Sequence, residues 1–172
     1  MEDGDDALLA LAARGDGLAF SRLVRRHRVR LIALAGRIVG NRAIAEEVVQ
    51  ETFTRAWIHA PRWQPRQDGR TGFGGWLTRV ATNLAIDQTR RIRSVPFDTI
   101  SEPLDDAMPA DARLVAREDR DRLARALEAL PPRQRAAIAL TYDEGLPNAR
   151  GAEAMAISVG AFELLLVRAR RA

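Results

Sequence analysis

The sequence predicts an all-α protein in which an N-terminal helical bundle and a C-terminal helix-turn-helix domain are joined by a flexible acidic linker. Three observations carry this expectation. Helix formers such as Ala, Leu, Arg and Glu dominate while aromatic residues make up 5% of the chain, and no stretch alternates in the manner of a strand. Apolar residues recur at helical spacing, three and four apart. Residues 94–111, SVPFDTISEPLDDAMPAD, hold three prolines and five acids with no basic group, a composition that reads as a linker. The expected division is therefore 1–93, a linker over 94–111, and 112–172.

Each helix follows from its own spacing and its own stop signal. A first helix is expected near Ala7 to Arg14, broken at Gly15-Asp16-Gly17. A second runs from about Leu18 to Val39 with Phe20, Leu23, Val24, Leu31, Leu34, Ala35 and Ile38 inward, and Gly40-Asn41 ends it. A third, from about Ile44 to His59, buries Val48, Val49, Phe53, Ala56 and Trp57 until Pro61 closes it. The loop PRWQPRQDGRTGFGG leads to a fourth helix over Trp76 to Arg93. After the linker, Leu114, Val115, Leu123, Leu127 and Leu130 form a seam up to Pro131-Pro132. Helices are then expected over Arg133 to Asp143, Asn148 to Met155 and Ser158 to Arg171, the last two joined closely enough for a helix-turn-helix.

Composition excludes several functions. The chain has 172 residues, 47% hydrophobic, as a packed globular protein requires, and no window reaches the ~18 consecutive apolar residues of a membrane span. The start, MEDGDDALLALAARGDG, is acidic where a signal peptide is basic, so a cytoplasmic protein is expected. With no cysteine, thiolate metal sites and cysteine catalysis are ruled out. His27 and His59, the two histidines, lack a second histidine or carboxylate at ligand spacing and read as surface or helix-end residues. No metal, cofactor or catalytic residue is expected. The net charge is +4 and every basic residue is arginine, so the placement of the arginines matters more than their number.

Three segments carry recognisable chemistry. In the fourth helix Leu77, Val80, Ala81, Leu84 and Ala85 share one side, while Arg79, Asn83, Asp87 and Arg90 share the other, followed by Arg91. Arginine forks and an asparagine amide match base edges and phosphates; a solvated face laced by Asp87 with Arg90 and Arg91 is the plain alternative. The preceding loop interleaves Arg62, Arg66 and Arg70 with Trp63 and Phe73, which suits single-stranded DNA, though either aromatic can equally cap the core; Trp76 reads as core. The third helix exposes Glu46, Glu47, Gln50 and Glu51, either an acidic docking face for a basic partner or an ordinary surface helix, with Glu47 to Glu51 and Glu51 to Arg55 at i,i+4 spacing and the last of these an ion pair. These paired carboxylates have no nucleophile, metal ligand or histidine beside them, so acid–base catalysis is not expected. Ser158 is a good N-cap for the last helix, whose free N–H groups can receive a phosphate, and Arg168 lies near its end.

Taken in order, AEEVVQETFTRAW, FGGWLTRVATNLAIDQTRR, LEALPPRQRAAIAL and ISVGAFELLLVRARR resemble the bacterial extracytoplasmic-function (ECF) sigma factors, the small two-domain members of the sigma-70 family, over nearly the whole chain. The resemblance implies that residues 1–93 form sigma region 2 and residues 112–172 sigma region 4. It implies that Glu46, Glu47, Gln50 and Glu51 dock on the clamp helices of the largest subunit of core RNA polymerase. Arg79, Asn83 and Asp87, with Arg62, Trp63, Arg90 and Arg91 around them, match the part that faces the melted minus-ten element, and the loop from Arg62 to Gly72 matches the segment that captures a flipped base. The linker would thread toward the polymerase active-site cleft. Ser158, Val159, Ala161, Phe162 and Arg168 match the recognition helix that reads the minus-thirty-five element in the major groove. Partners implied are core polymerase, promoter DNA and an anti-sigma factor that can itself be membrane-bound. Two departures stand out: Ala156 occupies a turn position where glycine is common, and Leu164 and Leu165 fall where polar residues often contact DNA. A helix-turn-helix regulator acting without polymerase accounts for the second half alone.

Overall fold

A computed structural model describes residues 4–64, 72–93 and 125–172, and among these every regular element is helical. The four helices of the first half are α1 (Asp5–Ala12), α2 (Gly17–Val39), α3 (Arg42–His59) and α4 (Phe73–Arg93), with a short 3₁₀ turn over Ala60–Arg62. The second half has a helical stretch over 125–129, α5 (Pro132–Ile138), a π-helical turn over Ala139–Asp143, α6 (Asn148–Ala154) and α7 (Val159–Ala169). The loop positions Arg66 and Arg70, the linker 94–111 and the seam residues Leu114, Val115 and Leu123 lie outside the described residues.

Local signals set the boundaries. Asp16 caps α2 by accepting from the N–H groups of Leu18 and Ala19 at 2.9 and 3.0 Å, and Gly40 ends it at φ 74°, a left-handed conformation that a Cβ disfavours. Asn41 then caps α3 by accepting from Ile44 N at 3.1 Å. In the second half, Pro131 precedes α5 and Pro132 opens it, and Ser158 caps α7 by accepting from Ala161 N at 3.2 Å. The fourth helix begins three residues earlier than expected, at Phe73, because Gly72 O accepts from Gly75 N and Trp76 N and so opens the first turn in spite of the glycines. One of those glycines sits in tight packing: a Cβ on Gly74 would stand 3.2 Å from His27 Cε1, so the imidazole would have to give by a few tenths of an ångström.

The core runs through both halves. Leu23, Leu31, Leu34 and Ile38 of α2 meet Val48, Val49 and Phe53 of α3 and Leu77, Ala81 and Ala85 of α4, and the same cluster continues into Ala136, Leu140, Phe162 and Leu166. Full burial of one such leucine stabilises the fold by ~1.5–3 kcal/mol. Phe20 and Val24, expected inward, are partly buried. Trp57, also expected inward, is 40% exposed; it lies at the rim of α3, edge-on to Phe20 at 5.0 Å. His27 is a further correction. It is buried, and its Nε2 lies 2.7 Å from the Asp5 carboxylate, which also takes Arg26 at 2.6 Å, so α1 is pinned to α2 by a pair that no local spacing announces.

Candidate nucleic-acid interface

The polar stripe of α4 stands opposite its buried stripe. Arg79, Asp87, Arg90 and Arg91 are exposed and Asn83 is half-buried; Arg79, Asn83 and Asp87 each lie two residues, about half a helical turn, from a member of the buried set Leu77, Ala81 and Ala85. Two of the expected core positions, Val80 and Leu84, sit at intermediate depth on the flanks of that stripe. The Asn83 amide donates to Arg79 O at 2.9 Å and to Ala154 O at 3.3 Å, the second bond reaching across to the end of α6.

Beside the stripe lies an aromatic cluster. His59 stacks on Trp76 with centroids 5.2 Å apart and planes 7° from parallel, Trp76 lies against Phe73, and Trp63 meets Phe73 and Trp76 edge-on at 5.6 and 6.2 Å. Trp63 Nε1 donates to the Asp6 carboxylate at 3.1 Å, which fixes the ring's orientation. Of the two roles open to Trp63 and Phe73 in the sequence, Phe73 takes the core one, at 2% exposure, whereas Trp63 does both: it packs on the cluster and lines a cavity. That cavity, about 410 Å³, is walled by Trp63, Trp76 and Arg79 on one side and by Leu146, Arg150 and Glu153 on the other. Arg62 is exposed at the end of the 3₁₀ turn. A surface of flat rings next to guanidinium groups can stack bases and meet phosphates together.

The acidic face of α3 is partly committed to its own helix. Glu46 pairs with Arg42 at 3.2 Å and Glu51 with Arg55 at 2.8 Å, both i,i+4, while Glu47 and Gln50 are exposed between them. The expected Glu51–Arg55 pair forms. Such surface pairs are worth ~0.3–0.5 kcal/mol and exchange readily for a partner's charges.

In the last helix Ser158, Val159, Ala161 and Arg168 are exposed. Phe162 is not: it is fully buried, its ring set so close to Gly151 that a Cβ there would lie 2.3 Å from Cζ. The helical repeat explains the correction, since Phe162 and Leu166, four apart, form the stripe that seats α7 on α5 and α6, which leaves Leu164 exposed and Leu165 half-buried. Ala156 takes φ 53°, so the tight turn between α6 and α7 has the left-handed geometry usually given to glycine. Arg30, Glu144, Arg150 and Glu153, which build the junction between the halves, carry no sequence signal beyond the i,i+3 spacing of the last two.

A helical bundle with an exposed polar stripe, followed by a helix-turn-helix, defines a class, and the family descriptions agree: Sigma-70 region 2 matches residues 23–95 and Sigma-70 region 4 matches residues 120–172. Among curated relatives, the ECF RNA polymerase sigma factor SigE of Mycolicibacterium smegmatis is 34% identical over 92% of this chain and 63% of its own length. SigM of Mycobacterium tuberculosis is 31% identical over 98% of this chain and 82% of its own length. The solved structure of CnrH in complex with the cytosolic domain of CnrY superposes with a TM-score of 0.68 at 30% identity, covering 98% of this chain and 94% of that one. The chain belongs to the ECF RNA polymerase sigma factors of the sigma-70 family. The SigE relative is longer, so the chain spans less than two thirds of it.

Proposed function

We propose that this protein directs core RNA polymerase to promoters and opens them without catalysing a reaction itself, acting in the cytoplasm through two units, residues 1–93 and 112–172, joined by the linker 94–111. The observation that carries the reading is the exposed Arg79, Asp87, Arg90 stripe of α4 with Asn83 in its midst, set beside the Trp63–Trp76 cluster. Stacking and guanidinium contacts favour unpaired bases over duplex, because only a separated strand presents its base faces. In this role Arg79, Asn83 and Asp87 contact the non-paired minus-ten strand, and Arg62, Trp63, Arg90 and Arg91 flank it.

Docking on the largest-subunit clamp helices falls to Glu46, Glu47, Gln50 and Glu51: the three carboxylates are exposed enough to change partner, and the Gln50 amide adds directional hydrogen bonds. Duplex recognition at the minus-thirty-five element falls to α7 through Ser158, Val159, Ala161 and Arg168; Phe162 holds the helix in place from the inside. Control by an anti-sigma factor is consistent with the CnrH–CnrY complex, and the exposed Leu164 and Val167 on α7 offer it apolar surface. Among the described residues no helix is long and apolar enough to cross a membrane. Reconstitution with core polymerase tests the assignment. Promoter-specific run-off transcripts are expected, and Asn83→Ala should impair promoter opening, read by permanganate reactivity, by about tenfold while leaving core binding within twofold. Duplex binding with no polymerase association would overturn the assignment.

A further inference from the structure

Trp63 differs from the other rings of the aromatic cluster. His59, Trp76 and Phe73 lie nearly parallel, with planes 7° and 12° apart, whereas half-buried Trp63 stands across all three, at 80°, 74° and 83°. Among the described residues no ring is stacked on it, and it lines the same cavity as Arg79. Such a ring has a face to offer a base, provided the face is held where the strand passes.

The hold comes from α1. Edge contacts let an indole swing, and its one polar group, Nε1–H, selects an orientation by donating to Asp6 at 3.1 Å, 57 residues away in the chain. The helix that carries Asp6 is itself fixed: Leu8 and Leu9 are buried in the core, and the Asp5 carboxylate meets His27 and Arg26 of α2. Successive residues on a helix diverge by ~100°, so the two neighbouring acids turn to different partners. Asp5 grips α2 and Asp6 grips the ring. His27 in turn stands edge-on to Phe73 at 6.2 Å, so both acids brace the cluster, Asp6 directly and Asp5 through the imidazole.

We propose that Asp6 is a positioning residue for Trp63, holding the indole in the orientation that receives a base of the separated strand, so that α1 sets strand capture from outside the strand-reading surface. This rests on the strand-flanking role of Trp63. Apparent affinity for the strand scales with the fraction of molecules whose ring has the competent orientation. Loss of the hydrogen bond therefore lowers promoter opening while the docking face on α3 is untouched.

Two readouts test this. Holoenzyme reconstituted from the full chain and core polymerase gives permanganate reactivity on a promoter that yields run-off transcripts. Fluorine NMR of the chain labelled with fluorotryptophan gives one line for each of its three tryptophans, and Trp63→Phe identifies the line of Trp63. Asp6→Ala, at an exposed site, should move that line and leave in place the line of Trp57, which packs on Phe20. It should also lower opening by about three- to tenfold, the weight of one hydrogen bond. Asp6→Asn keeps an acceptor without the charge, and opening should stay within twofold of the parent. Trp63→Phe keeps a ring without the donor, so Asp6→Ala added to it should cost nothing further. Core binding should stay within twofold throughout. If Asp6→Asn fails as badly as Asp6→Ala, the acid acts as a charge at the start of α1, and the positioning role is overturned. A moved line with full opening overturns it too, since the strand is then indifferent to the orientation of the ring. Unchanged opening in Asp6→Ala overturns it alone when Trp63→Ala impairs opening; when Trp63→Ala also leaves opening intact, the strand-flanking role of Trp63 fails and the positioning role with it.

Discussion

Two small residues near the helix-turn-helix show how finely this part of the fold is set. Gly151 on α6 faces the ring of Phe162, and any side chain there meets Cζ, Cε1 and Cε2 within 2.3–2.8 Å. Relief requires α7 to move away from α6, since the Phe162 ring has no exposed side to turn toward. Gly151→Ala should therefore destabilise the protein by about 1–3 kcal/mol despite a helix propensity that favours alanine by less than ~1 kcal/mol, and a thermal melt reads the difference. Ala156 presents the opposite case. Its φ of 53° strains an L-residue by ~1–2 kcal/mol, while the extra unfolded-state freedom of a glycine costs ~0.5–1 kcal/mol. Relief of strain wins by a small margin, so Ala156→Gly should raise stability by about 0.5 kcal/mol and leave the turn unchanged; a lower melting temperature would count against a strained turn. The sequence showed the missing glycine but not the dihedral angle that a side chain there must adopt.

At the level of the helices, caps were legible and partners across the fold were not. Ser158 was legible as a cap and Gly15-Asp16-Gly17 and Gly40-Asn41 as breaks, within which Asp16 and Asn41 cap the helices that follow, because a cap is satisfied within three or four residues. His27 with Asp5 and Trp63 with Asp6 are separated by 22 and 57 residues, and no local pattern encodes such a meeting. The assignment of Phe162 to the DNA face failed for a related reason: the run FELLLV offers several apolar stripes, and only the position of α6 decides which one turns inward. The cap of α7 gives a prediction on this scale. Ser158 Oγ satisfies one of the N–H groups that have no partner within the helix, so Ser158→Ala should cost about 1 kcal/mol and speed hydrogen exchange at Ala161 first, whereas Ser158→Asp should retain the protection. Uniform acceleration over the whole helix would mean that Ser158 acts through tertiary packing instead.

For the molecule as a whole, the family and the all-helical architecture were legible because hydrophobic periodicity and motif order are properties of the chain itself. The closed arrangement of its halves was not, because Arg30, Arg37, Asp143 and Glu144 look like any surface charges until the π turn brings them together. That arrangement leaves the two surfaces assigned to polymerase and to DNA in different states. The α3 face carrying Glu47 and Gln50 is open, while the Asn83 amide on α4 is covered. Loss of polymerase docking should therefore be separable from strand reading. Glu47→Arg combined with Glu51→Arg replaces two acids by two bases on one helix face and releases Arg55 from its partner, which sets like charges against a basic docking surface. Each repelled contact costs on the order of 1 kcal/mol at a solvent-exposed interface, so the pair should weaken association with core polymerase by about ten- to thirtyfold in a competition assay. Neither residue has a described hydrogen bond or ion pair to α4 or α6, so binding of a single-stranded oligodeoxynucleotide by the same variant should stay within twofold of the parent chain. Parallel loss of both activities would mean that the α3 face and the α4 stripe work as one surface.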